Sequence, residues 1–411
     1  MPKKKKIDNK NSVYTLELEK QINGSPVTRS RNGKWVNFGK RNDYPYQLLN
    51  LYNTSPTLKA CVNFAVQSIC GSGIDYDFMG LDGSQLRPNY QYSWDSFLRR
   101  IATDYMIYGS YAFQIIKNRD GKTYSFYHQP VDTLRCSERD DDGVITSWWI
   151  AKDWTATGST PPVEIESFIM RDDEDFNIRS GKPYIYVYED YSPVSSYYCL
   201  PVWISALKSV QSEVEFCNYD LRMASNCFVP AGSISLPPVD TEEQKQAIIN
   251  SINNMFVGSS NANSLLISFR NDSDDEPVKF ESFSSSNENV DLFEASNSRN
   301  IARILSTFSI PSRTLIGLPE ESTGFNSEGA LLETAYNLYM TLTGRYLRSI
   351  IISTINELFK MNGIDVEITV KELNFLGDEN QSQTSQDNTE APENTEDISE
   401  NNITEEKTNG Q

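Results

Sequence analysis

From Val290 to Phe359 the sequence runs through a helical pattern, an apolar loop and a second, much longer helical pattern. That arrangement limits the folds open to the chain. The first piece, VDLFEASNSRNIARILSTF, places Phe293, Ile301, Ile304, Leu305 and Phe308 at helical spacing. It has to end near Ser309-Ile310-Pro311, because a residue before proline is pushed out of the α region. The second piece opens at Asn326-Ser327-Glu328, a capping side chain followed by an acid that the helix dipole favours. It meets no proline before about Met361, so at 1.5 Å per residue it is roughly 50 Å long, more than one small core covers. Between the two, residues 309–326 hold Pro311, Gly317, Pro319 and Gly324 beside Leu315, Ile316 and Leu318, which read as exposed. Connectors beyond about 12–15 residues without structure of their own are uncommon, and usually functional or disordered. This one is too apolar for disorder.

The rest of the chain predicts an α+β protein. Pro56 opens a helix whose Leu58, Cys61, Val62, Ala65, Val66 and Ile69 share a face, and Gly71 is placed to close it. Ser93 caps another, with Phe97, Ile101, Tyr105 and Tyr108 at helical spacing and Gly109 at its end. The period then changes to two. Hairpins are expected at Asp120-Gly121 and at Asp142-Gly143, and KPYIYVYEDY gives another alternating strand. VYTLEL and KWVNF are short strand-like runs near the start. From Val202 the pattern is helical for about six turns, with Leu207, Val210, Val214, Cys217 and Leu221 in one stripe, until Pro230 and Gly232 break it. A small α/β unit follows over 231–290: strands GSISL, NSLLISF and VKFESF, and a helix opened by the capping box Thr241-Glu242-Glu243-Gln244. IDVEITVKELNF reads as a short alternating strand after the long helix.

Charge and chemistry exclude several function classes. Net charge is −19, but residues 377–411 hold ten acids and one lysine, which leaves −10 for the remainder. A body at −10 lacks the basic face of a tight nucleic-acid binder, though not a surface that DNA slides past. The terminal stretch has almost nothing to bury and is expected to be disordered. MPKKKK is followed by no apolar run, so it is not a secretory signal; a solvated tail is the plain reading. No run of about 18 apolar residues exists to span a membrane. The six cysteines are scattered and suit a reducing compartment. With one histidine, His128, a zinc site would need thiolates from distant segments. Gly121-Lys122-Thr123 lacks the upstream glycine of a phosphate loop, because Ile116 stands there. Asp140-Asp141-Asp142-Gly143 lacks the alternate spacing of a calcium loop. No catalytic constellation, metal site or cofactor is expected, and the chain reads as a non-enzyme.

Four segments in order resemble the portal proteins of tailed bacteriophages: RNDYPYQLLNLYNTSPTLKACVNFAVQSICGSGI, YGSYAFQIIKNRDGK, CLPVWISALKSVQSEVEFCNYDLRMASNCFVPAG and NIARILSTFSIPSRTLIGLPEESTGFNSEGALLETAYNLYMTLTGRYL. One departure is Cys199-Leu200-Pro201 at the start of the third, where the family more often has glycine before the leucine or its equivalent. The resemblance spans about Asn42 to Phe359. It implies a portal-like fold: a disordered basic N-terminus (1–12), an α+β wing (13–200), stem helices (201–228 and 290–308) flanking a clip (229–289), a channel loop (309–326), a long wing helix (327–361), a reduced crown strand (362–376) and an acidic tail (377–411). It also implies a ring, typically twelvefold, that conducts double-stranded DNA without sequence-specific binding at one capsid vertex. Pro311, Leu315, Ile316, Gly317, Leu318, Glu320 and Glu321 would line the channel. Glu242, Glu243, Asp272, Asp274 and Asp275 would dock the terminase large subunit and then the neck and tail adaptors. Further implied partners are the major capsid and scaffolding proteins, in a virion assembled in the host cytoplasm. The alternatives are another neck or adaptor protein without a DNA channel, or an enzyme with an unrecognised site.

Overall fold

A computed structural model describes residues 27–28, 34–83, 86–158, 160–169, 178–193, 197–225, 232–236, 241, 243–248, 265–269, 279–281, 288–319 and 329–373. Its first helices are α1 (Tyr44–Thr54), α2 (Pro56–Cys70) and α3 (Trp94–Tyr108). Local signals set α2 and α3. Ser55 caps α2 by accepting from the Leu58 N–H, and Pro56 occupies the first turn, where an N–H has no helical partner. Ser93 caps α3 through the Ser96 N–H, and Gly109 closes it in the left-handed region. α1 has no such cap: Asp43 makes no side-chain bond at its start.

Near the start, β1 (Val27–Thr28) pairs with β2 (Asn37–Phe38). Two three-stranded antiparallel sheets then carry the strand pattern. In the first, β3 (Ser110–Lys117) lies between β4 (Tyr124–Gln129) and β8 (Pro183–Glu189), with Phe113 opposite His128 and Tyr186. The Asp120 carboxylate accepts from the Lys122 and Thr123 N–H groups and folds the β3–β4 turn. In the second, β6 (Ser147–Ile150) lies between β5 (Leu134–Cys136) and β7 (Val163–Glu166), and Asp140 plays the same part in its turn. Trp148 is buried. Trp149, on the other face, packs on Trp35 with ring centroids 5.5 Å apart. α2, α3 and the inner faces of β3 and β8 share one core, in which Phe97, Phe113, Phe126 and Ile185 are fully buried.

The Phe168 N–H donates to Ile185 O across the seam between the sheets. A small cavity there is lined by Phe38, Trp148, Val187, Glu189, Tyr198 and Cys199. Burial pushes the Glu189 carboxyl up to about 8, with Arg139 opposing the shift. The native state therefore binds this proton more tightly than the unfolded chain does. The stabilisation is complete below the ordinary glutamate range and is lost as pH rises through about 8. Glu189→Gln is expected to abolish this part of the pH dependence. It should be more stable than the parent at pH 9 by an amount on the order of a few kcal/mol. Urea midpoints at pH 5, 7 and 9 test this, and parallel curves for the two proteins would refute it.

The second half of the chain is helical around a small sheet: α4 (Leu207–Ser225), β9 (Gly232–Leu236), β10 (Leu265–Phe269), β11 (Lys279–Glu281) and α5 (Glu288–Thr307). β9 is central, parallel to β10 and antiparallel to β11. A parallel pair needs a crossover, and helical residues 243–248 lie within it. The Gln244 N–H donates to Thr241 Oγ1, which is half of the expected capping box. α4 and α5 pack on each other.

The long helix differs from the unbroken one expected. It is α6 (Gly329–Tyr339) and α7 (Arg345–Met361), joined by one π turn over Met340–Gly344. Gly344 leaves room there for the Met340 side chain, whose Sδ lies where a β-carbon would sit. α7 is fastened along the α+β body at several points. Thr354 bonds the Tyr111 hydroxyl at 2.6 Å, Phe359 packs on Trp94, and Asn362 accepts from the Tyr124 N–H at 2.7 Å. The strand expected after the helix reduces to a single bridge, Ile74 with Val370. The expected strand 13–18, the acidic turn 272–276 and the tail 377–411 lie outside the described residues. Among the described residues no helix is long and apolar enough to cross a membrane.

Candidate functional site

The loop between the long helices has structure of its own. α5 ends at Thr307, and Ser309 turns the chain with a positive φ of 56°. The Ile310 N–H returns to Leu305 O, and the Ile310 side chain is buried ahead of exposed Pro311. Ser312 then caps a single 3-10 turn, Arg313–Ile316, by accepting from the Thr314 N–H. Gly317, with φ 83°, closes the turn, and the Leu318 N–H bonds Arg313 O.

The sequence reading leaves Leu315 and Ile316 exposed. Here both are half-buried and pack against the chain's own core, with the turn lying on α2. Leu318 is also half-buried, whereas Gly317 is exposed. The shape of the turn permits this packing. A 3-10 turn sets successive side chains about 120° apart, so one side can lie on a neighbouring helix without an extended apolar run. Glu320 and Glu321 lie outside the described residues, as do Glu242, Asp272, Asp274 and Asp275. Glu243 is exposed at the start of the helical stretch 243–248.

Where α4 meets the α+β body, the structure brings together a polar cluster that sequence reasoning missed. Glu213 is 4% exposed. Its Oε2 accepts from the Ser55 hydroxyl, and its Oε1 accepts from the Thr57 hydroxyl at 2.5 Å and the Thr57 N–H at 3.3 Å. A carboxylate from α4 thus sits on the positive end of α2, where backbone donors are otherwise unpaired. One residue earlier, Ser212 accepts from Asn300 of α5 at 3.1 Å. Together these contacts tie both paired helices to the body at one level. The signal was present in the sequence: Glu213 sits between Val210 and Val214 in the apolar stripe.

The chemistry-bearing motifs are placed as follows. Gly121-Lys122-Thr123 lies in the hairpin turn, where the Lys122 and Thr123 N–H groups are taken by Asp120 rather than left open for a phosphate. His128 Nε2 is 2.9 Å from Asp104 Oδ2 in a nearly buried pair. Its backbone N–H donates to the Tyr92 hydroxyl. Asp104 also accepts from the Val131 N–H, so the pair holds β4 against α3. Among the described residues no three side chains of metal-ligating type come together.

No family model matches the sequence, and no curated protein matches it. Solved structures do. A chain in the neck of an empty gene transfer agent particle, computed with C6 symmetry, aligns over 79% of this chain and 83% of that one, with a TM-score of 0.52 and 14% identity. A chain in the virion of the native gene transfer agent particle aligns over the same shares at a TM-score of 0.50 and 14% identity. A crystal structure of an HK97-family phage portal protein from Corynebacterium diphtheriae aligns over 76% of this chain and 88% of that one, with a TM-score of 0.41 and 10% identity. The chain is similar in fold to these chains of the gene transfer agent particle and its neck. The fold is mixed helix and sheet, as the sequence predicts.

Proposed function

We propose that this chain is a portal subunit: one of a ring of about twelve copies that forms a DNA conduit at a single capsid vertex. The observation that carries the reading is the extent of the fold match. It takes in 79% of this chain and 83% of a chain from a rotationally symmetric particle neck. The order of the four portal-like sequence segments supports it independently. In this reading residues 13–200 are the wing, α4 and α5 the stem, and residues 229–289 the clip. The clip, through Glu242, Glu243, Asp272, Asp274 and Asp275, docks the terminase and later the neck or tail proteins. Residues 309–326 face the channel, with Pro311, Gly317 and Leu318 nearest the DNA. Leu315 and Ile316 brace the loop on α2, a role that follows from their half-burial. A body at −10 without its terminal stretch does not grip phosphates, so DNA is free to move. ATP hydrolysis belongs to the partner motor.

Native mass spectrometry and negative-stain images of the purified chain test the proposal. Rings of about twelve subunits with an open centre are expected. A monomer at micromolar concentration would overturn the reading, and nuclease or ATPase turnover by the isolated chain would favour an enzyme instead.

A further inference from the structure

A rotational ring is closed by a head-to-tail interface, in which one patch of each subunit meets a different patch of the next. The long helix offers one such patch. Its second half is ordinarily amphipathic: Leu347, Ile351, Ile355 and Leu358 are buried, whereas Ser349, Ser353, Glu357 and Lys360 face outward. Its first half carries a second apolar row on its outer side, beside the exposed polar residues Glu333, Asn337 and Thr341. Tyr336, Tyr339 and Met340 are buried, yet Leu331, Leu338, Leu342 and Tyr346 are 61%, 48%, 61% and 65% exposed. Steps of seven, four and four keep these four on one face. Single exposed leucines are unremarkable only when scattered. The exposed row stops where the serines begin, so it is a bounded patch rather than a general property of the helix.

The second patch is on α4. Leu207, Val210, Val214, Cys217 and Leu221 form one stripe by their spacing. The body covers its first half: Leu207 and Val210 are buried and Val214 is half-buried. Past Glu213 the same stripe runs out into solvent, with Cys217 exposed and Leu221 67% exposed. The charges that border the patches are opposite. Arg345 is exposed beside Leu342 and Tyr346, and Asp220 is exposed beside Leu221.

We propose that the outer row Leu331–Leu338–Leu342–Tyr346 of one subunit packs against the outer half of the α4 stripe on a second copy of this chain, with Arg345 facing Asp220. The inference rests on the ring reading and names the contact that closes the ring. Because the row is already exposed in one chain, changing it leaves the subunit's own core intact.

Native mass spectrometry of the full chain and its variants tests this. Leu338→Asp with Leu342→Asp should raise the concentration at which half of the chain is in rings by more than about tenfold. Far-UV circular dichroism should stay at the parent spectrum, and the urea midpoint should equal the parent's at concentrations where both are monomeric. Arg345→Asp and Asp220→Arg should each weaken the ring, and the two together should restore it. Rings that persist at parent concentrations in the double leucine variant would overturn the proposed surface. Failure of the charge exchange to restore assembly would overturn the pairing with α4. A parent chain that is itself monomeric would instead overturn the ring reading on which the inference rests.

Discussion

Glu213→Ala is expected to destabilise the protein by about 3 kcal/mol, because it leaves buried hydrogen-bond donors without their acceptor. The carboxylate takes two hydroxyl donors and one backbone donor, from Ser55 and Thr57, which are 1% and 5% exposed. Alanine leaves all three in a site closed to bulk water, and each buried unpaired donor costs about 1–3 kcal/mol. It also removes a negative charge from the start of α2, where the helix dipole favours one. Glu213→Gln is expected to cost far less, about 1 kcal/mol, because the amide oxygen still accepts and the hydroxyls can turn to accept from its nitrogen. Urea denaturation at neutral pH separates the two variants. A loss below about 1 kcal/mol for the alanine variant would show that water replaces the carboxylate.

Gly71→Ala is the second large effect, expected at about 3 kcal/mol from backbone strain and lost cross-chain bonds together. Gly71 has φ 53° and ψ −142°, a conformation that L side chains rarely adopt. A β-carbon there would collide with Lys371 O and the Val370 side chain. The neighbouring pairing is what that collision would displace. The Ser72 N–H donates to Lys371 O, the Lys371 N–H to Gly73 O, and the Asp75 N–H to Thr369 O, at 2.8–2.9 Å. Hydrogen exchange should accelerate at Ser72, Asp75 and Lys371 while the amides of β3 keep their protection. Unchanged exchange at these three positions would refute the assignment.

What could be read in the sequence was what is decided locally. α2 and α3 are bounded by a capping serine and a closing glycine within the same stretch, and both hairpins turn on an aspartate that bonds its own backbone. The parallel crossover of β9 and β10 was not legible, because periodicity marks strands without naming their partners. α1 lacks a capping bond and its residues alone gave no helix start. The π turn over Met340–Gly344 carries no proline or capping signal that periodicity could register. In the candidate site, the turn signals at Pro311 and Gly317 marked the loop, but the side on which Leu315 and Ile316 lie is set by α2, some 250 residues away in sequence. Glu213 was visible as an acid within an apolar stripe; its meaning came only with Ser55 and Thr57.

The position of α2 also bears on how the polypeptide is made. This helix is complete as a sequence by Cys70, yet the groups that satisfy it arrive far later. Glu213 bonds Thr57 across 156 residues, Arg348 reaches Ser68 O across 280, and Ser72 reaches Glu372 O across 300. On the ribosome the earliest long helix would wait, its start without the carboxylate and its end without the returning segment, until nearly all of the described fold has emerged. Contacts of such sequence separation slow folding and prolong the exposure of apolar surface. The nascent chain is therefore most vulnerable to aggregation before residue 371 has emerged, and truncation between Met361 and Lys371 should be far more damaging than its length suggests.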